Sequence, residues 1–243
     1  MTTATVAAPL TALALATLLA PVLMAPSPLK TAVQTHAQMD HLMVAIRSLP
    51  DGIAEFERLT GIKAVVGGKH PGRGTENALV SLGDGSYLEI IAPQADAPQL
   101  FADYEPMRKL DRLTIFTWAV GVSDATAAAA ALTSAGLSVT PPQPGARVTP
   151  AGERLEWTTF ALTDRSIGVA PFFIQWGAGT KHPSTTSPGG CSLSSLKVQD
   201  PKIARLSAGL NNLGLRGVVY EEGRSEIVAT LTCGAKTVTF KSR

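Results

Sequence analysis

The 243-residue chain predicts an α+β fold of repeated strand–helix–strand units, and three observations carry that expectation. One pattern recurs: a strand-like apolar run, a helix opened at aspartate and closed at glycine, then β-rich segments with turn signals. Its copies begin near residues 41, 115 and 193, about 75 residues apart, which is the mark of an internal repeat. Each copy alone is small and leaves one sheet face bare, so copies must stack to bury it. A hydrophobic share of 45% supplies the apolar side chains for that core.

Residues 1–38 stand outside the pattern, which begins abruptly at Met39. The first 29 residues carry no charged side chain, and "TVAAPLTALALATLLAPVLMA" (5–25) is apolar enough for a signal core. Pro9 and Pro21 keep any continuous helix shorter than a membrane span. No Lys or Arg precedes the run, and the small-x-small site at Thr35-His36-Ala37 lies far from it. A signal or transit segment and a disordered extension therefore stay equally open. The first would make the protein exported or organellar, and a chain effectively starting at Met39 would be cytoplasmic.

The first copy spans residues 39–110. "HLMVAI" (41–46) reads as a strand, and after Asp51 a helix carries Ile53, Phe56 and Leu59 on one face. It stops at "TGI" (60–62), where glycine takes the left-handed conformation. In "ALVSLGDGSYLEII" (78–91), Asp84-Gly85 marks a hairpin. The second copy, 111–180, has the strand "IFTWAVGV" (115–122), Asp124, an alanine-rich helix and the stop "AGL" (135–137), with "PPQPGARVTPAGE" (141–153) as a loop. The linker, set at 181–192 and overlapping "GAGTKHPSTTSPGG" (177–190), leads to the third copy, 193–243. There "LSSLKV" precedes Asp200 as N-cap, Pro201, and the stripe Ile203, Leu206, Leu210 and Leu213. This copy has Leu193 where His41 would stand and no terminal carboxylate, so it is expected to cover a sheet or lengthen a wall without chemistry of its own. Cys191 and Cys233 sit in no metal or redox spacing.

Superposing the first two copies places Val44, Ala45 and Ile46 over Val120, Gly121 and Val122, and His41 over Thr117. At the far end "YLEII" (87–91) lies over "FIQWG" (173–177), which puts Glu89 over Gln175. Four polar residues thus occupy equivalent places in apolar strands, and they converge if the copies pair about a pseudo-twofold axis. An imidazole and a carboxylate suit a divalent metal, with Gln175 as a weaker oxygen donor, while Thr117 suits a hydrogen bond to a bound molecule. Strand alternation then sends Trp118 and Trp176 to the opposite, helix-covered face. Taken singly, His41 also reads as a buried strand histidine, Glu89 as a solvent-facing carboxylate, and Gln175 as a partner for its neighbours.

The segment "GGKHPGRGTEN" (67–77) has four glycines in eleven positions. It lacks the order of a phosphate-binding loop and precedes a strand, not a helix, which excludes that reading. What remains is an ordinary glycine turn with solvated Lys69 and Arg73, or a loop presenting His70, Arg73 and Asn77 to the site. Arg73 can pair with a substrate oxyanion through its planar fork, and His70 can shuttle a proton. His182 in "KHPS" is a second rim histidine, or a plain linker residue.

"DHLMVAI", "GGKHPGRGTEN", "YLEII" and "PFFIQWG" followed by "HPS" together resemble the glyoxalase-like domains of the vicinal-oxygen-chelate superfamily, over roughly residues 39–186. The resemblance implies paired βαβββ modules forming a cup-shaped sheet, with the third module a degenerate C-terminal addition. It also implies a divalent metal chelated by substrate oxygens. His41 and Glu89 match the first module's ligand positions and Gln175 the second module's terminal one, while Thr117 departs from the usual His or Glu. The expected function is a metal-dependent isomerase or lyase acting on a small oxygenated or carbonyl metabolite. Glu89 and His70 would move the proton, and Arg73, Asn77, Thr117 and His182 would bind substrate. The alternative is a metal-free small-molecule binding protein using the same cup. A net charge of +2 with scattered basic residues builds no field for nucleic acid, and no stable membrane association is expected beyond the possible signal.

Overall fold

The computed structural model describes residues 1–5, 36–70, 72–97 and 99–242. It distinguishes two compact units, Met1–Ala32 and Val33–Arg243. Of the first, only residues 1–5 are described, as exposed coil. The expected signal or transit segment otherwise lies outside the described residues up to His36. Strand β1 (Ala37–Ala45) begins two residues inside the segment expected as an extension. Among the described residues, no helix is long and apolar enough to cross a membrane.

The second unit is α+β and strand-rich. Its first half comprises β1, α1 (Leu49–Thr60), β2 (Val65–His70), β3 (Thr75–Gly83) and β4 (Ser86–Pro93), followed by a 3-10 segment Ala102–Lys109. Its second half comprises β5 (Thr114–Val122), α2 (Ala125–Ser134), β6 (Gln143–Val148), β7 (Arg154–Ala161) and β8 (Phe172–Trp176). All eight strands form one sheet in the order β2-β3-β4-β1-β5-β8-β7-β6. Each half pairs its first and last strands in parallel, β1 with β4 and β5 with β8, and the halves meet antiparallel at β1 and β5. The order therefore reads the same outward from the centre, and the equivalent outer strands β2 and β6 approach one another to nearly close the sheet into a cup.

Local sequence accounts for the helices. Ser48 caps α1 by accepting from Asp51 N, and Gly61 ends it at φ 81°. Asp124 caps α2 by accepting from Ala127 N. The helices cover the outer face of the sheet, where Leu42, Val44, Ile46, Leu88, Ile90, Trp118, Val120 and Phe173 are buried. A smaller apolar cluster of Met43, Ala45, Ile91 and Met107 lies on the inner face, joined by Phe116 and Phe172.

After the short helix α3 (Pro183–Thr186), the third copy supplies β9 (Cys191–Gln199), α4 (Ile203–Asn212), β10 (Val218–Glu221), β11 (Glu226–Cys233) and β12 (Lys236–Lys241). It has the element succession of the other two copies but not their wiring. Its sheet runs β10-β9-β11-β12, with β9 parallel to the second strand of the copy and antiparallel to the third. It packs on the outer face: Phe240 stacks on Phe56 of α1 at 6.1 Å, and α4 lies against α2. α4 starts at Ile203, later than the expected cap, and Asp200 instead accepts from Lys202 N in the preceding turn. Cys191 and Cys233 form a disulfide across the β9–β11 register.

The segment read as a loop at 141–153 contains the edge strand β6. Pro144 hid it, since proline is tolerated on an edge strand but argues against a strand when only sequence is considered. In "GGKHPGRGTEN" the first four residues belong to β2, and only the tip of the hairpin turns. Gly67 and Gly68 are where β2 can be approached: a Cβ on Gly67 would stand 2.5 Å from Asn77 Oδ1, and one on Gly68 2.8 Å from the Val148 carbonyl of β6.

Candidate functional site

Parallel pairing sets the site. β1 and β4 align His41 with Tyr87 and Met43 with Glu89, and these side chains share the inner face with Asn77 and Leu79 of β3. Glu89 is 4% exposed. Its Oε1 accepts from Asn77 Nδ2 at 2.7 Å, its Oε2 stands 3.5 Å from His41 Nε2, and His70 Nε2 lies 3.6 Å from Oε1. A strand carboxylate is thus flanked by two imidazoles of the first half, His41 from the adjoining β1 and His70 from β2, one strand beyond β3.

Behind His41 lies Asp40, 1% exposed. A register irregularity between Met39 and His41 interrupts strict alternation, so both adjacent residues enter one cluster. Asp40 Oδ1 accepts from His41 Nδ1 at 2.6 Å, which leaves Nε2 as the atom facing Glu89. Asp40 Oδ2 accepts from Trp176 Nε1 at 3.0 Å and lies 3.2 Å from His182 Nε2. Gly121 leaves room for it, since a Cβ there would come within 2.9 Å of Oδ2. Burial pushes the Asp40 carboxyl up, but hydrogen bonds and charge from His182 and His41 outweigh this and hold it at about 2. His41 is further sandwiched by Tyr87, stacked at 4.5 Å, and by the edge of Phe172 at 5.3 Å.

His70 is neutral near pH 7, because burial draws it down to about 4 against the pull of Glu89. Its Nδ1 bonds Thr75 Oγ1 at 2.9 Å. The folded protein refuses a proton that the unfolded chain accepts near pH 6.5, so stability is full above that pH and falls as pH drops toward 4. We expect about 2 kcal/mol of this loss by pH 5, seen as a pH-dependent urea midpoint, and a flatter limb in His70→Gln. An unchanged limb in that variant would assign the loss elsewhere. The Asp40 contribution disappears only lower, between about 4 and 2.

The structure brings His41, Glu89, His70 and Asn77 together and separates the other expected residues. Arg73 lies at the rim, donating to Tyr104 Oη at 2.8 Å. His182 is drawn behind His41, with Nδ1 accepting from Ser184 N at 3.2 Å. Thr117 pairs with Met43, which pairs with Glu89 on its other side, so two strand spacings, about 10 Å, separate Thr117 from the carboxylate.

Gln175 is a correction. Its Oε1 accepts from Ala125 N at 2.8 Å at the start of α2, on the outer face. Met43 pairs with Glu89 in the first half, and the equivalent Ala119 pairs with Phe172 in the second. The true counterpart of Glu89 is therefore Phe172, three residues from Gln175, and an odd slip moves a side chain to the other face of a sheet. The same slip misplaced Trp176, which faces inward toward Asp40, whereas Trp118 is outer-face core as expected and donates to the Val169 carbonyl.

Two donors 2.0–2.2 Å from a tetrahedral ion stand roughly 3.4 Å apart, so His41 Nε2 and Glu89 Oε2 fit two places of a divalent shell. His70 faces the other carboxyl oxygen, and Gln175 does not reach. Among the described residues, no three His, Cys, Asp or Glu side chains are placed to hold one ion.

Sequence reasoning passed over two of these groups. Asp40 was hidden because a bulge cannot be read from alternation. Arg147 lies on β6 inside the supposed loop. It faces inward, 4% exposed, and donates to the Gly67 carbonyl of β2.

A nearly closed sheet of paired βαβββ halves, carrying a histidine and a carboxylate on its inner face, is the vicinal-oxygen-chelate arrangement. The family model described as a glyoxalase-like domain matches residues 39–214, and the chain belongs to that family. A hypothetical protein from Staphylococcus aureus shares the fold at TM-score 0.58 and 17% identity, over 84% of this chain and 85% of that one. A variant of Streptomyces coelicolor methylmalonyl-CoA epimerase, in complex with 2-nitronate-propionyl-CoA, matches at TM-score 0.43 and 19% identity, over 59% and 96%. Methylmalonyl-CoA epimerase from Mycobacterium tuberculosis matches at TM-score 0.41 and 22% identity, over 56% and 86%. No curated protein matches the sequence.

Proposed function

We propose that the protein is an enzyme that moves a proton at the carbon adjacent to a carbonyl group of a small oxygenated molecule, an isomerase- or lyase-type reaction. The observation that supports this reading best is Glu89, buried in the cup with an imidazole at either carboxyl oxygen. Glu89 takes the proton. Asn77 holds Oε1, leaving Oε2 to take the proton or, with an ion bound, to ligate it while neutral His70 takes the proton. His70, kept neutral, accepts or returns a proton on the same side of the cup. His41 donates through Nδ1 to Asp40, which fixes the ring and leaves the Nε2 lone pair beside Glu89 Oε2, free to hold an ion. Arg73 at the rim orients substrate entering the cup.

A divalent ion bound by His41 and Glu89 would polarise the carbonyl oxygen, and the rest of its shell would come from substrate oxygens. The second reading, a binding protein without turnover, is favoured by Thr117 and Phe172 standing where the second half would repeat His41 and Glu89.

Proton exchange decides between them. Small 2-oxo and 2-hydroxy compounds are incubated with the protein in D2O, with and without a chelator, and followed by NMR. Deuterium entering the carbon beside the carbonyl faster than in buffer is the expected result. Binding with no exchange for any compound would overturn the enzymatic reading, and exchange unaffected by the chelator would remove the ion.

A further inference from the structure

A guanidinium buried as deeply as that of Arg147 is normally paired with a carboxylate, because an uncompensated charge in the interior is costly. Among the described residues, its one hydrogen bond goes to the Gly67 carbonyl. That bond spans the seam between β2 and β6 and leaves most of the donor fork uncommitted. Beside it is a cleft of about 220 Å3, whose lining includes Val65, Leu79, Arg147, Leu155 and a half-exposed Glu153 that is itself paired with Lys181. Leu155 is the register partner of Arg147, and Leu79 the register partner of Glu89, so the cleft adjoins the row that carries the carboxylate. Burial draws the Arg147 guanidinium down and the charge of Glu89 offsets this only in part, which places it within electrostatic reach of the cup.

We infer that Arg147 is the anion anchor of the cup, and that the cleft at the β2–β6 seam takes the carboxylate of a small organic acid. The planar fork matches a carboxylate bidentately, and buried Leu79 and Leu155 give the cleft an apolar inner wall that limits the screening of the pair. The size of the cleft limits the acid to a few carbons beyond the carboxylate. The inference deepens the proposed reaction by naming the class of molecule that enters, a small acid with an acidic C–H within reach of Glu89.

Binding tests it separately from turnover. Pyruvate, 2-oxobutyrate and their methyl esters are titrated into the protein by calorimetry, alongside Arg147→Gln and Arg147→Lys. The acids are expected to bind at least about tenfold tighter than the esters, with the preference lost in Arg147→Gln and only partly kept in Arg147→Lys. Equal binding of acids and esters, no binding of either, or a preference that survives Arg147→Gln would overturn the inference. The acid–ester comparison in the unaltered protein keeps the test decisive should a variant fold poorly. Acid-selective binding without exchange would leave this site standing and remove the enzymatic reading alone.

Discussion

Glu89→Gln is expected to slow proton exchange roughly 10²- to 10⁴-fold, the usual contribution of a positioned general base. Glutamine has nearly the shape of glutamate, and its carbonyl oxygen can still accept from Asn77 Nδ2, so the cup should keep its packing. What it lacks is a basic oxygen facing the substrate. The measurement is deuterium incorporation in D2O for whichever compound the unaltered protein exchanges, with circular dichroism to verify folding. A well-folded variant retaining more than about a tenth of the rate would mean that another group takes the proton.

The second large effect is on stability. Asp40→Ala should lower the unfolding free energy by about 3–5 kcal/mol near neutral pH, because removing one partner of a buried ionic cluster strands the others. His41, His182 and Trp176 would each lose a carboxylate oxygen. Asp40→Asn keeps the volume and one acceptor and should cost distinctly less. Guanidinium titration reads both. A loss below about 1 kcal/mol for the alanine variant would show that the cluster is solvated, contrary to its depth in the fold.

Much of the fold was legible because its signals are local. Asp124, Gly61 and Gly136 mark helix ends whatever the tertiary context, and the Asp84-Gly85 turn fixes where β3 gives way to β4. The nearness of His41 and Glu89 was reachable because both are polar residues at matched places in otherwise apolar strands. The second half resisted for a different reason. Its last strand is short, and nothing local distinguishes Phe172 from Gln175 as the residue that faces inward. Only pairing with β5 decides it, and a three-residue error inverts the face. Asp40 required a bulge, and Arg147 required a proline-bearing edge strand to meet another edge eighty residues away. Such features depend on long-range closure, which no window of sequence contains. The third copy misled in a subtler way, since identical succession of elements does not dictate identical strand order.

The mirror-like order of the large sheet is broken chemically at its centre. One half presents His41 and Glu89, and the other presents Thr117 and Phe172 at the same stations. The phenyl ring that replaces a carboxylate is not idle: it packs against His41 and helps fix the imidazole plane. A duplicated scaffold has here divided its labour, one half becoming the buttress of the other. Under the proposed reaction, the described residues of each polypeptide accordingly offer one such station, and ligand titration is expected to saturate at one equivalent.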